Sequence, residues 1–344
     1  MKTELFDYEL PEASIAQHPP KDRDGGRLLV LTSEGMEHRT VRDFPALVPE
    51  GALVILNDTR VIRARLLGTR RPTGGRAEIF LLRHEAGTRW RALGRASKAL
   101  REGTIVDAGA IVVRVLERLP GGELSVELAS DEPIERALET AGHVPLPSYV
   151  RRADTPADRE RYQTVYAERS GSVAAPTAGL HLTERLLGEI ERRAELGRVT
   201  LHVGLGTFRP VTTPDLDDHA MHAEPLEVGS ELAARVTAAR ERGAPVVAIG
   251  TTVVRALESA ADPDREGYVR AWSGETRLLI QPGYRFRVVD SLFTNFHMPR
   301  STLVALVSAF AGRERVLHAY GVAIEQGYRF LSYGDAMWIP ERAR

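Results

Sequence analysis

Seven short clusters of polar and small residues hold the side chains best suited to chemistry in this chain. Asn57, Asp58, Thr59 and Arg60 directly follow the apolar run 52–56. In 175–183, Pro176, Thr177, Ala178 and Gly179 precede His181; such small residues let a backbone approach a ligand. Thr183 can then cap a helix whose N-terminus favours an anionic group such as a carboxylate. His202 alternates with apolar neighbours and leads into Gly204, Gly206, Thr207 and Phe208. His222 and Glu224 stand two apart, on one side of an extended segment, as an acid and base could. Thr251 and Thr252 leave an apolar run, with Arg255 and Glu258 behind them. Asn295, Phe296 and His297 end another run, and Ser301 and Thr302 open a helical one after Pro299. Tyr333, Gly334 and Asp335 precede the last apolar segment, 336–339.

Each cluster also has a plainer reading. Asn57 and Asp58 suit a turn, and 175–183 suits a loop-to-helix junction. His202 fits a structural histidine, Thr251 a helix cap with an i,i+3 pair between Arg255 and Glu258, and Phe296 a core residue. The GxG at 204–206 lacks the strand–GxGxxG–helix setting of a dinucleotide fold. Four histidines with acids nearby raise a metal site, but neither HxH nor HExxH spacing occurs, so no metal is expected. With no cysteine in the sequence, disulfides, thiolate catalysis and cysteine-ligated metal centres are excluded.

Positioning these groups requires a scaffold with many strand ends. The runs 27–31 and 52–56 read as buried strands. Residues 62–130 contain six strand-like runs separated by Gly-rich turns, the pattern of a small barrel or sandwich. After 150, helices and strands alternate: helix from 183, strand near 199–204, helix near 231, strand 245–250, strands at 276–280 and 286–294, helices from 301 and 313, and a final strand. At 344 residues the expected architecture is α/β, a mixed-sheet main domain made of 1–61 and 150–344 and interrupted by a small β-barrel-like inserted domain, 62–149. Polar groups at strand ends are where open α/β sheets hold ligands.

Hydrophobic residues at 43% and charged residues at 27% are ordinary for a globular protein. No run approaches a membrane span and the first residues are not those of a signal peptide, so the expected compartment is the cytoplasm. Net charge is −1, yet residues 60–101 hold twelve Arg or Lys against Glu78 and Glu85. That stretch suits phosphates, with a solvated strand face as the plainer account.

The segments LNDTRV, SVAAPTAGLH, LHVGLGTF, MHAE, AIGTTVVRALES, TNFHMPRSTL and YRFLSYGDAM, in this order, closely resemble the S-adenosylmethionine:tRNA ribosyltransferase-isomerase family of queuosine biosynthesis. Leu182 and Leu331 stand where that family commonly has phenylalanine, and Met298 where it has leucine; these are packing positions. The resemblance implies that S-adenosylmethionine is consumed as cosubstrate, not used as a recycled cofactor. Its ribosyl unit passes to 7-aminomethyl-7-deazaguanine at the tRNA wobble position, giving epoxyqueuosine, adenine and methionine. In the chemistry so implied, the sulfonium acidifies C5′, a base removes that proton and adenine departs. The aminomethyl nitrogen attacks C1′, and epoxide closure expels methionine.

The implied proton-transfer candidates are His181, His202, His222 and His297, with Asp58, Glu224 and Asp335 as orienters or alternate bases. Expected cosubstrate contacts are Asn57, Thr59, Arg60, Pro176, Thr177, Ala178, Gly179, Gly204, Gly206, Thr207, Thr251, Thr252, Arg255, Asn295, Ser301, Thr302, Tyr333 and Gly334. Phe208 and Phe296 could stack on adenine or pack near the sulfonium, and the methionine carboxylate suits the helix start at Thr183. Arg60, Arg63, Arg65, Arg70 and Arg71 are expected on the RNA backbone. The expected state is a monomer. The competing readings are a tRNA-binding protein without turnover and a metal-dependent hydrolase built on the histidines and Glu224.

Overall fold

A computed structural model describes residues 1–204 and 211–343. In chain order, β1 (Arg27–Thr32), β2 (Gly35–Thr40), α1 (Phe44–Leu47), β3 (Leu53–Asn57) and β4 (Thr59–Val61) precede a run of six strands. These are β5 (Arg65–Arg70), β6 (Arg76–Ala86), β7 (Arg89–Ala96), β8 (Ile105–Ala108), β9 (Ile111–Arg118) and β10 (Leu124–Ala129). Next come α2 (Ile134–Ala141), α3 (Pro156–Arg161), β11 (Arg169–Ser172), α4 (Glu184–Glu191), β12 (Glu195–Leu201), β13 (Glu224–Val228) and α5 (Ser230–Glu241). The chain closes with β14 (Val246–Ile249), α6 (Thr251–Ser259), β15 (Trp272–Thr276), β16 (Ser291–Asn295), α7 (Thr302–Ala311), α8 (Arg313–Glu325) and β17 (Ala336–Ile339).

Nine strands form one mixed sheet in the order β15-β13-β12-β3-β14-β16-β17-β1-β2. Strands β12, β3, β14 and β16 are mutually parallel, while β17 runs antiparallel to β16. The central strands are uninterrupted apolar runs because both faces are covered. Alternation then assigns the faces. Leu53, Ile55, Val246, Ala248 and Leu292 join a core with residues of α5, α6, α7 and α8. Val54, Leu56, Val247, Ile249 and Phe293 point the other way, toward Phe44 of α1 and Leu186 and Ile190 of α4.

The six strands β5 to β10 close into an antiparallel barrel, β10-β7-β6-β5-β8-β9, sealed by β9 on β10. Alternate residues, among them Leu66, Ile79, Leu81, Val113 and Val126, fill it, and α2 adds Ala137 and Leu138. The α/β body with a barrel expected from the sequence is therefore the observed architecture. The barrel touches the main sheet through Val173, which joins the barrel core, and through an Arg83–Glu275 ion pair at 2.8 Å linking β6 to β15.

Two expected strands are corrected. Residues 277–280 lie beyond β15: the Leu278 amide donates to Thr276 Oγ1 (3.1 Å), and its carbonyl accepts from Arg255 Nε (3.0 Å). The segment 286–294 becomes a strand only at Ser291, since the amides of Arg287, Val288 and Val289 donate to the Glu258 carboxylate at 2.9, 3.0 and 3.1 Å. Apolar sequence marked both segments as buried, but side chains on α6 satisfy their backbone groups. Among the described residues no helix is long and apolar enough to cross a membrane.

Candidate active site

Because β3, β12, β14 and β16 are parallel, their C-terminal ends bring Asn57, His202, Gly250 and Asn295 to one edge of the sheet. The antiparallel β17 starts at that edge, so Asp335 arrives there too. A small, open pocket lies on this edge. It is lined by Tyr149, Ala175–Ala178, Val203, Gly250–Thr252, Thr294–Met298, Ser301, Leu303, Leu331 and Ser332. None of these is Asp, Glu, Lys or Arg. Helices α6 and α7 both begin at the pocket, through Thr251 and Ser301. Three nearby residues adopt positive φ: Gly250 at 97°, Arg300 at 53° and Leu331 at 72°. The last two are non-glycine residues held in a sparsely populated region at the pocket's edge.

His297 lies in this pocket with Nε2 3.0 Å from Thr294 Oγ1, and burial lowers its pKa to about 3. Asn295 Nδ2 donates to His181 Nε2 at 3.0 Å and to the Leu331 carbonyl at 3.2 Å. Burial lowers His181 to about 4, against an opposing pull from Asp335. Both imidazoles are thus neutral at pH 7. Asp335 itself accepts from the amides of Arg27 (2.9 Å) and Arg329 (2.8 Å), joining the starts of β1 and β17. Gly334 permits that turn, since a Cβ there would lie 2.4 Å from the Arg329 carbonyl oxygen. Tyr333 donates to Asp158 at 2.8 Å, and with Gly334 it faces a narrow hollow beside His181, apart from the pocket.

At the other strand ends, buried Asn57 is consumed by the fold. Its Nδ2 donates to the Leu201 carbonyl and Thr252 Oγ1, and its Oδ1 accepts from the Thr59 and Leu201 amides. Asp58 accepts from Thr200 Oγ1 at 2.6 Å, and burial raises its pKa. Thr59 Oγ1 meets His202 Nδ1 at 2.7 Å, which aims the imidazole into a second cavity; burial keeps His202 below its ordinary pKa. Arg60 is exposed. Pro176, Thr177, Ala178 and Gly179 form a turn against the pocket, and a Cβ at Gly179 would lie 2.0 Å from Tyr166 Oη. Thr183 accepts from the Leu186 amide, so the start of α4 is capped by its own side chain and does not line the pocket. Ser301 caps α7 at Val304. Phe296 packs in an aromatic cluster with Tyr320, Tyr328 and Phe330, its ring 4.7 Å from that of Phe330.

The expected pairing of Arg255 with Glu258 is also corrected. Buried Arg255 instead pairs with buried Glu224, whose other oxygen accepts from the Gly204 amide at 2.9 Å. Glu224 therefore anchors the segment leaving β12, and His222, two residues earlier, is exposed. Both line a small hollow with Thr302 and His219. Gly206, Thr207 and Phe208 lie outside the described residues. Among the described residues no three His, Cys, Asp or Glu side chains cluster as a metal site.

The second cavity is lined from both barrel and sheet and shares Val203 with the first. Arg83, His84, Trp90 and Arg91 line its barrel side, and Ser170, Gly171, His202 and His222 its sheet side. The rings of His84 and Trp90 are 5.0 Å apart. Of the arginines expected on RNA, three are paired within the barrel unit: Arg63 with Glu139 (3.2 Å), Arg65 with Glu78 (2.7 Å) and Arg71 with Asp107 (2.6 Å). Among the described residues, the Arg70 side chain reaches the Lys98 carbonyl, at 3.5 Å. Sequence reading missed Tyr149, whose hydroxyl is 2.6 Å from Ser332 Oγ, and Trp90; neither stands in a polar cluster. The alternation of 89–93 marked a strand, but only the closed barrel shows where Trp90 faces.

Together these features define an α/β protein with a pocket at the carboxyl edge of its parallel strands and a barrel that borders a second cavity beside it. The family model for queuosine biosynthesis proteins matches residues 3–339, and the chain belongs to that family. It is 55% identical to the S-adenosylmethionine:tRNA ribosyltransferase-isomerase of Sorangium cellulosum, over 98% of each chain. It is 50% identical to that of Moorella thermoacetica, over 98% of this chain and all of the relative. Among solved structures, it is similar to the S-adenosylmethionine tRNA ribosyltransferase of Thermotoga maritima, at 32% identity and a TM-score of 0.56, over 97% of this chain and 99% of that one.

Proposed function

We propose that this protein is an S-adenosylmethionine:tRNA ribosyltransferase-isomerase. It moves the ribosyl unit of S-adenosylmethionine onto 7-aminomethyl-7-deazaguanine at the tRNA wobble position, forming epoxyqueuosine and releasing adenine and methionine. The full-length kinship supports the activity. The observation that carries the site is that two cavities share Val203 in their linings, one uncharged and walled by neutral imidazole, the other flanked by barrel arginines and an indole.

In this reading the cosubstrate occupies the sheet-edge pocket and the modified base enters from the barrel side. His297 is the proton acceptor nearest the cosubstrate, and His202 serves the aminomethyl end. Both imidazoles are unprotonated at working pH, as a base must be, while burial makes His297 a weak one in the free protein. His181 and Asp335 act through Asn295 as positioning residues, while Asn57, Asp58 and Glu224 hold the strand ends in place. Residues 62–149 work as an inserted RNA-facing unit within a catalytic domain of 1–61 and 150–344. The protein acts as a monomer in the cytoplasm.

The test is incubation with S-adenosylmethionine and tRNA carrying the aminomethyl-deazaguanine base, followed by nucleoside mass analysis. Formation of the ribosylated nucleoside with release of adenine is expected. A folded preparation that binds both substrates yet forms neither product contradicts the proposal.

A further inference from the structure

One residue lining the sheet-edge pocket has a buried polar atom that is left without a partner among the described residues. Asn295 is buried at 2% exposure, and its Oδ1 has no hydrogen-bond partner among the described residues. Its orientation is not arbitrary. The Leu331 carbonyl can only accept, so the amide nitrogen must face it, and Oδ1 takes the remaining direction. The same constraint makes His181 Nε2 an acceptor and places the imidazole proton on Nδ1. His181 Nδ1 and Asp335 Oδ1 both approach Gly26, where a Cβ would sit 3.4 Å and 3.5 Å from them. A buried acceptor held by such a chain and left unmatched is costly unless a ligand supplies a donor.

The chemistry of the pocket restricts that donor. S-adenosylmethionine carries two amino groups, the exocyclic amine of adenine and the α-ammonium of methionine. An ammonium would enter a pocket with no acidic residue in its lining, where an unpaired cation is penalised. It would also face the starts of α6 and α7, whose dipoles repel positive charge. A methionine carboxylate would suit the helix starts but would meet the Asn295 oxygen, acceptor against acceptor. Adenine satisfies both constraints. Its amine donates to Oδ1, its ring nitrogens accept toward the helix ends, and its flat faces fit among Pro176, Val203 and Leu331. Electron density released onto adenine as it departs is favoured by the same dipoles.

Resting on the cosubstrate reading above, we infer that this pocket is the adenine subsite and that Asn295 is its specificity-determining residue, accepting the exocyclic amine. The experiment is calorimetric binding, without tRNA, of S-adenosylmethionine, its analogue with unsubstituted purine in place of adenine, and its analogue lacking the α-amino group. Each ligand is titrated into the wild type, Asn295→Ala and Asn295→Ser. The wild type should bind the purine analogue at least about tenfold more weakly than S-adenosylmethionine. Folded Asn295→Ala should bind those two alike, while the effect of removing the α-amino group should be the same in wild type and variant. Asn295→Ser is the substitute if the alanine protein does not fold, and the wild-type comparison needs neither variant. Equal wild-type binding of the purine analogue, purine discrimination that survives in a folded variant, or an Asn295 effect confined to the α-amino arm would overturn the assignment. Failure of the wild type to bind S-adenosylmethionine at all would overturn the cosubstrate reading as well; binding without purine discrimination overturns only the adenine assignment.

Discussion

The sheet edge and the barrel present opposite solutions to the problem of holding polar groups. At the sheet edge, Asn57, Asp58, His181, Glu224, Asn295 and Asp335 are buried and bonded to specific partners in the surrounding elements, and they stand around a pocket, lined by Asn295, whose own lining has no Asp, Glu, Lys or Arg. On the barrel, the arginines are mostly exposed and several are neutralised by neighbouring acids. Burial makes each sheet-edge bond consequential, because an unmatched group cannot turn to water. Exposure makes each barrel charge weak alone and useful only in number. The contrast fits a division between a preorganised chemical pocket and an adaptable RNA surface.

The largest test of that contrast is the buried pair. Removing one partner, as in Glu224→Ala, strands the Arg255 guanidinium and should lower stability by about 3 to 5 kcal/mol in denaturant unfolding. Arg71→Ala, which breaks the exposed pair with Asp107, should leave the unfolding midpoint almost where it is in the wild type. Similar losses for both would erase the distinction.

A pH titration of stability offers a second break point. His181 and His297 have folded pKa values of about 4 and about 3, below the ordinary histidine value. Between those values and about 6.5 the unfolded chain binds more protons than the folded one. Their contribution is therefore full above the unfolded value and declines as pH falls, levelling off for His181 near 4 and for His297 near 3. His297→Gln should flatten this part of the profile. An unchanged slope would show that the imidazole is not held neutral.

The smallest effects belong to the barrel charges. Arg76 and Arg95 are exposed on adjacent strands and share a shallow surface with Ser97. Reversing both to Glu should weaken tRNA binding and reduce the salt dependence of affinity by about 0.7 to 0.9 for each phosphate no longer neutralised. Arg71→Glu should do less, since Asp107 already neutralises that charge in the free protein. The opposite ranking would place the RNA on the other face of the barrel.

Much of this layout was legible in the sequence because apolar runs followed at once by polar clusters mark strand ends. Strands β3, β14 and β16 deliver Asn57, Gly250 and Asn295 in that manner. Pairing partners were less accessible. Arg255 and Glu258 sit at helical spacing, yet one turns to Glu224 and the other gathers three backbone amides from 287–289. Those choices are made by tertiary neighbours, which spacing along a helix does not encode. Tyr149 and Trp90 escaped notice for a related reason. Neither belongs to a cluster that follows an apolar strand: Trp90 faces its cavity from barrel strand β7, and Tyr149 is held at the sheet-edge pocket by Ser332.

The division of labour is tested most directly by single-turnover ribosylation at saturating tRNA, comparing His297→Gln with the Arg76→Glu, Arg95→Glu double variant. The barrel variant should recover the wild-type rate once tRNA saturates. The His297 variant should stay slower by about 10²- to 10⁴-fold, the range of a lost proton-transfer group, at unchanged tRNA affinity. Recovery by His297→Gln, or a barrel variant that stays slow at saturation, would contradict it.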